Sequence, residues 1–301
     1  MELPTRGTEY TNMAWKRANI IKEKSTIPPQ HEWTALVLAG ARPGTDPVAE
    51  ARGVSHKALA PVAGMPMLER VLDALQASSA IDRIVLCGPW NGRHPPEVDA
   101  LVQALHHAKP TLALEYLPPQ DSPARSAEAC LEHLAGSVLL TTADHALLTP
   151  RLVDDFCATA SQGQLDLAVG LVPHPMVMQA FPGSRRTRLH FMEGDFCGAN
   201  LFALRHPHAR RVVRFWRQLE AARKQPLTMA RRLGLGTLFA YALGRLSLDR
   251  LLGRLSKRFA LHIGVVVLSE PEAAVDVDSL DDLALVERHL ASQDTPPSLH
   301  S

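Results

Sequence analysis

The sequence is short of aromatic residues, which fill 5% of its 301 positions, of cysteine, with 4, and of lysine, with 7. It has no run of about 18 uninterrupted apolar residues, so no membrane-spanning helix is expected. Residues 1–31 lack the continuous apolar core of an export signal, and the expected location is the cytoplasm. Cys87, Cys130, Cys157 and Cys197 lie far apart with no C-x-x-C pair. That spacing argues for buried thiols and against a disulfide framework or structural zinc. Net charge is nearly absent too, because 32 Lys and Arg against 31 Asp and Glu leave +1, which argues against a dedicated nucleic-acid binder. What remains is 46% hydrophobic and 21% charged, an ordinary globular composition with enough chain to bury a sizeable core.

Three stretches differ in character. Residues 1–31 are polar, carry the basic run Lys16, Arg17, Lys22 and Lys24, and end in Pro28-Pro29, so they read as an N-terminal tail. Residues 32–291 read as the domain and 292–301 as a disordered C-terminal tail. Within the domain, WTALVLAGARPG is a short apolar run breaking into a glycine-containing loop, the pattern of a buried strand. Helical spacing of Met67, Leu68, Val71, Leu72 and Leu75 follows, then strand IDRIVLCG, helix PPEVDALVQALHHA, strand LALEYLP, helix ARSAEACLEHLA and strand SVLLTTAD. LDLAVGLVP, CGANLFALR and HIGVVVLSE supply later strands, and a helix capped by Ser279, with Asp281 and Asp282 in its first turn, closes the domain. Strand and helix alternating in units of about 30 residues predict an α/β three-layer sandwich, Rossmann-like, with a mostly parallel central sheet. In such sheets ligands bind beyond the C-terminal strand ends, here the loops after Leu38 and Thr142.

Three segments carry a resemblance. LVLAGARPG with HKALAPVAGMPMLERVLDAL, then SVLLTTADHALLTP, then AVDVDSLDDLALVE resemble, in order, the glycine-rich loop with its following lysine, the metal-aspartate strand and the late D-x-D element of the MobA-like NTP transferases. The resemblance implies the GT-A-like nucleotide-diphospho-sugar transferase fold. It also implies Mg²⁺-dependent transfer of an NMP from a nucleoside triphosphate to a phosphorylated acceptor, small or lipid-linked, with release of pyrophosphate.

Each part has a physical reason. Small residues after a strand, Gly40, Ala41 and Gly44, let backbone N–H groups approach triphosphate oxygens, and Leu38 and Ala39 at the strand end are counted with them in the nucleotide site. Arg42 offers a planar fork for phosphate, with Arg52 as the alternative beyond the insertion-like TDPVAEARGVSH. Lys57 stands where the resemblance places a lysine that offsets charge on the α-phosphate and the leaving pyrophosphate. Asp144 ends a buried strand, where a carboxylate needs a cationic partner such as magnesium. The family pattern selects Asp276 as the second ligand with Asp278 as its support, although strand alternation puts both on one face. The resemblance assigns Gln120, Ser122, Arg125 and Ser126 to the base and ribose, and Glu193 and Asn200 to the acceptor; the first four serve equally as turn or cap residues. His145 receives no role as a base, because a phosphate acceptor is already ionised at neutral pH. A GT-A glycosyltransferase and a non-catalytic nucleotide-binding module are the alternatives. The first normally carries a compact D-x-D where this chain has Ala143-Asp144-His145.

One region departs from the pattern. Between Arg205 and Arg258 there are 14 Lys and Arg and two acids, Glu220 and Asp249, so this segment carries +12 and the rest of the chain −11. Leu248, Leu251, Leu252, Leu255 and Phe259 fall at helical spacing behind Ser247, a candidate N-cap, with Arg250, Arg254, Lys257 and Arg258 on the remaining surface. A basic helical insertion at 205–260 either packs its leucines on the core or, through residues 226–260, meets an acidic acceptor, a partner or the inner face of an anionic membrane.

Overall fold

A computed structural model describes residues 20–22, 33–40, 46–88, 98–100, 103, 107, 112–222 and 234–294. The sheet is built of β1 (Ile20–Lys22), β2 (Trp33–Leu38), β5 (Ile81–Cys87), β6 (Ala113–Leu117), β7 (Ser137–Thr142), β8 (Leu167–Pro173), β9 (Leu189–Phe191), β10 (Gly194–Leu204) and β11 (Ile263–Val267). A small hairpin of β3 (Pro61–Val62) and β4 (Met65–Pro66) stands apart from it. Strand order is β1-β11-β8-β10-β7-β2-β5-β6, with β9 paired to β10. The neighbours are parallel, except that β10 runs antiparallel to β7 and β8 and β9 antiparallel to β10.

The central strand β2 shows why these residues form this architecture. All six of its residues are buried. Trp33, Ala35 and Val37 join one apolar cluster while Leu36 and Leu38 join the other. A period of two with both phases apolar is what a strand covered on both faces requires. The first face packs α2 (Met67–Ala77), α4 (Pro150–Gln162) and α9 (Leu280–Asp294). The second packs α3 (Pro123–His133), α6 (Arg210–Ala222) and α8 (Leu248–Phe259). Short helices α1 (Pro47–Arg52), α5 (His174–Ala180) and α7 (Leu235–Ala242) complete the described layers.

Two expectations change. Residues 20–22, read as tail, form β1 and pair parallel with Val265–Val267, which carries Ile20 into the second cluster at 3% exposure. The insertion-like segment before Lys57 contains helix α1, which starts because Asp46 accepts from the N–H of Val48 and Ala49 with Pro47 in the first turn, and stops at Gly53, φ 65°. The expected helix at 95–108 lies mostly outside the described residues. All four cysteines are buried free thiols.

Candidate active site at the strand ends

The C-terminal ends of β2 and β7 lie side by side, since the two strands pair parallel from Trp33↔Ser137 to Leu38↔Thr142. Past them the backbone stays knitted together: Ala143 N–H donates to Leu38 O at 3.0 Å, and Val277 N–H donates to Asp144 O at 3.1 Å. The second bond brings the segment Asp276 to Asp278 against the turn that carries Asp144.

Lys57 enters from a single 3₁₀ turn, Lys57–Leu59, capped by His56, whose ring accepts from Ala58 N–H at 3.1 Å. Its ammonium donates to Asp144 Oδ2 at 2.8 Å and to Asp278 Oδ1 at 2.6 Å. Only 17% of the lysine side chain is exposed, against 50% for Asp278. Burial alone would depress the lysine pKa, but Asp144 and Asp278 outweigh it and hold the ammonium above its ordinary value. Lys57 is therefore a fixed positive charge at neutral pH.

Asp276 is held differently. Arg186, from the loop before β9, grips its Oδ1 and its carbonyl and reaches Asp282 with its other nitrogen. Asn200 donates from Nδ2 to Asp276 Oδ2 at 3.0 Å. That contact depends on a bulge in β10 between Gly198 and Phe202, where Asn200 takes φ 48°, a left-handed conformation that asparagine tolerates better than most residues. Burial first, then the Asp144 and Asp278 charges, raise the Asp276 carboxyl above the usual range. Three carboxylates thus crowd one edge with Lys57 and Arg186 as the cations among them.

The fit to a divalent cation can be tested on one atom. Asp144 Oδ1 is fully buried and has no hydrogen-bond partner among the described residues, which is costly for a carboxylate oxygen unless something cationic joins it. Among the described residues no three His, Cys, Asp or Glu side chains converge to hold a metal by themselves. Magnesium does not ask for that, since it takes one or two carboxylates and completes its shell with water and phosphate oxygens. The residues fit. His145, buried beneath, is kept neutral by desolvation, its pKa lowered to about 4 despite the Asp144 charge.

The other sequence-level assignments divide. Leu38 and Ala39 are buried at the end of β2, with Ala39 N–H donating to Cys87 O at 2.8 Å, and Gly40 is exposed just beyond. A Cβ on Gly40 would meet nothing within 4 Å among the described residues, so their packing does not explain the glycine. Ala41, Arg42 and Gly44 lie outside the described residues. Arg52, the alternative arginine, pairs with Glu287 on α9 at 2.6 Å. Ser122 caps α3 by accepting from Arg125 N–H at 3.3 Å, and its hydroxyl donates to Glu220 at 2.7 Å. Ser126 is buried and accepts from Gln120 N–H at 2.8 Å, while Arg125 pairs with Asp121. Those roles are turn and cap roles. Glu193 stands at the N-terminus of α8, where its carboxylate accepts from Ser247 Oγ at 2.6 Å and Leu248 N–H at 2.8 Å. Arg186 escaped the sequence reading altogether, because nothing in FPGSRRTRLH separates it from Arg185 and Arg188. Only the fold shows that its side chain is 6% exposed and meets two aspartates.

Comparison with solved structures gives a hypothetical transferase from Thermus thermophilus, 33% identical, TM-score 0.68, covering 85% of this chain and 100% of that one. A structure of CMP:2-keto-3-deoxy-manno-octonic acid synthetase complexed with CTP is 15% identical, with TM-score 0.50 and coverage of 86% and 99%, a likeness of fold. A comparison with curated proteins finds no match. The family model for the MobA-like NTP transferase domain matches residues 35–258, the stretch that holds most of β2, Lys57, Asp144 and Asn200, and the chain belongs to that family.

Proposed function

We propose that this protein is a nucleotidyltransferase that moves an NMP from a nucleoside triphosphate to a phosphorylated acceptor. The observation that carries the reading is Lys57, a half-buried ammonium between Asp144 and Asp278 at the strand ends, beside an Asp144 oxygen left without a partner among the described residues. An acceptor phosphate oxygen attacks the α-phosphorus, a new P–O bond forms, and the bond to the bridging oxygen breaks to free pyrophosphate. The acceptor phosphate is ionised at neutral pH, so no base is needed, in keeping with a neutral, buried His145. Lys57 sits ready to offset charge that develops on the α-phosphate and leaving group. No described residue lies within 4 Å of a Cβ on Gly40, which is in keeping with phosphate oxygens approaching the backbone there. Asn200 and Arg186 keep Asp276 oriented. Magnesium held by Asp144, with Asp276 or Asp278, would supply Lewis-acid polarisation of the phosphates.

The test is pyrophosphate release over the four NTPs against a panel of phosphorylated acceptors, with Asp144→Ala as control. Turnover with at least one pair, reduced about 100-fold or more in the variant, is expected. No turnover with any pair, together with NTP binding that Asp144→Ala leaves unchanged, overturns the reading. Release of a nucleoside diphosphate from a sugar nucleotide would move it to the glycosyltransferases.

A further inference from the structure

Of the five large apolar side chains exposed among the described residues, four belong to one neighbourhood. Phe239 is 68% exposed and Tyr241 41% on α7, Leu243 is 52% exposed just past it, and Met192 is 65% exposed between β9 and β10. Met192 N–H donates to Leu246 O at 2.9 Å, which brings the β9–β10 turn against the connection that Leu243 opens. A Cβ on Gly244 would come within 3.1 Å of the His190 ring, so the two segments are closely packed.

The position of this tip follows from strand register. β10 is antiparallel to β8, with Phe196 opposite Pro173 and Leu204 opposite Leu167, so the start of β10 lies at the C-terminal end of β8. That is the edge of the sheet on which Asp144 follows β7. Helix α8 begins there too, because Glu193 caps it.

Charge surrounds the apolar residues. Arg245, Arg250, Arg254 and Lys257 are exposed on the connection and on α8. From Ala221 to Leu248 the sequence has no acid. The acids nearby are engaged: Glu193 caps α8, Asp195 bonds His190 and lies 3.6 Å from Arg188, and Asp249 is in the first turn of α8, where a carboxylate suits the helix dipole. An isologous contact with a second copy would bring two such basic surfaces together. An anionic bilayer offers both complements at once, phosphates for the guanidinium groups and an acyl boundary for phenylalanine and leucine.

We infer that the tip formed by Phe239, Leu243 and Met192 docks on the surface of an anionic phospholipid bilayer, with Arg245 and Arg250 against the headgroups and the strand-end site facing the membrane. Among phosphorylated acceptors this orientation favours one embedded in the lipid. The docking itself stands apart from the nucleotidyl-transfer reading, since vesicle binding and pyrophosphate release are separate measurements.

The full chain is floated with vesicles of phosphatidylcholine containing about a third phosphatidylglycerol, and with pure phosphatidylcholine, at low and high salt. Wild type is expected to co-float with the anionic vesicles at low salt and to be partly released by high salt. Phe239→Ser with Leu243→Ser lowers partitioning about tenfold or more, and Arg245→Gln and Arg250→Gln about fivefold each. All four positions are exposed, so the melting temperature stays at wild type, and the arginine variants keep the test independent of the apolar pair. Wild type that stays off anionic vesicles, or variants that float as well as wild type, overturn the proposal. So do a concentration-dependent dimer that Phe239→Ser abolishes, which gives the tip to a second copy, and oligonucleotide binding lost in the same variants without flotation.

Discussion

The protein keeps its positive charge in two opposite ways. At the strand ends Lys57 and Arg186 are enclosed, with 17% and 6% of their side chains exposed, and each touches two carboxylates. On α8 and the connection before it, Arg245, Arg250, Arg254 and Lys257 are exposed. The near-zero net charge is the sum of these two arrangements, +12 in residues 205–258 and −11 in the rest. An enclosed, ion-paired cation is screened much less by salt. Exposed cations act collectively, over a Debye length of about 8–10 Å, and salt weakens them. The first arrangement suits chemistry on a single phosphorus atom; the second suits attraction to an extended anionic surface.

The comparison is sharpest at Lys57. Lys57→Met should lower pyrophosphate release by about 100- to 1000-fold, measured in steady state, with little dependence on salt. Arg250→Gln should leave release from soluble substrates unchanged. If Lys57→Met turned over as fast as wild type, enclosure would have nothing to do with catalysis.

Stability separates the two arrangements next. Arg186→Met leaves Asp276 and Asp282 facing one another without their shared cation, and the cost is that of breaking a buried pair, about 3 kcal/mol. Arg250→Met, on the open surface, should stay within about 0.5 kcal/mol. Urea midpoints of the two variants check this, and equal midpoints would mean that the Arg186 contacts contribute no more than a surface charge does.

What could be read in advance followed from local physics. β2, β5 and β7 were legible because buried parallel strands are largely apolar runs, and α2 and α3 because their apolar residues recur at helical spacing. Lys57, Asp144 and the Asp276–Asp278 segment were legible through the resemblance and through their places at element ends. Their partition was not. Sequence alternation cannot tell that Asp278 meets Lys57 while Asp276 meets Arg186 and Asn200, because that outcome depends on a β10 bulge and on a loop with no periodicity. β1 was hidden for another reason. Three residues, Ile20–Lys22, inside a polar stretch carry almost no signal of their own, and their strand exists through pairing with β11 more than 240 residues later. The basic segment shows the same limit in reverse, since the sequence gives its leucine stripe and its charge, but only the packed structure shows that Leu248 and Leu252 face the core while Phe239 and Leu243 face outward.

The smallest expected effect lies at Glu193, where the two regions meet. Burial pushes this carboxyl up, but the Ser247 hydroxyl and the amides of Leu248 and Asp249 outweigh it and hold it below the ordinary glutamate value of 4.5. A carboxylate depressed by folding contributes stability above its unfolded pKa and loses that contribution as pH falls through the lower folded value. Glu193→Gln should therefore cost about 1 kcal/mol near neutral pH, the worth of a charged helix cap, and the gap between variant and wild-type melting temperatures should close as the pH is taken below 4.5. Turnover should be unmoved at pH 7. A raised KM for the acceptor with no change in stability would assign Glu193 to the substrate instead of to the start of α8.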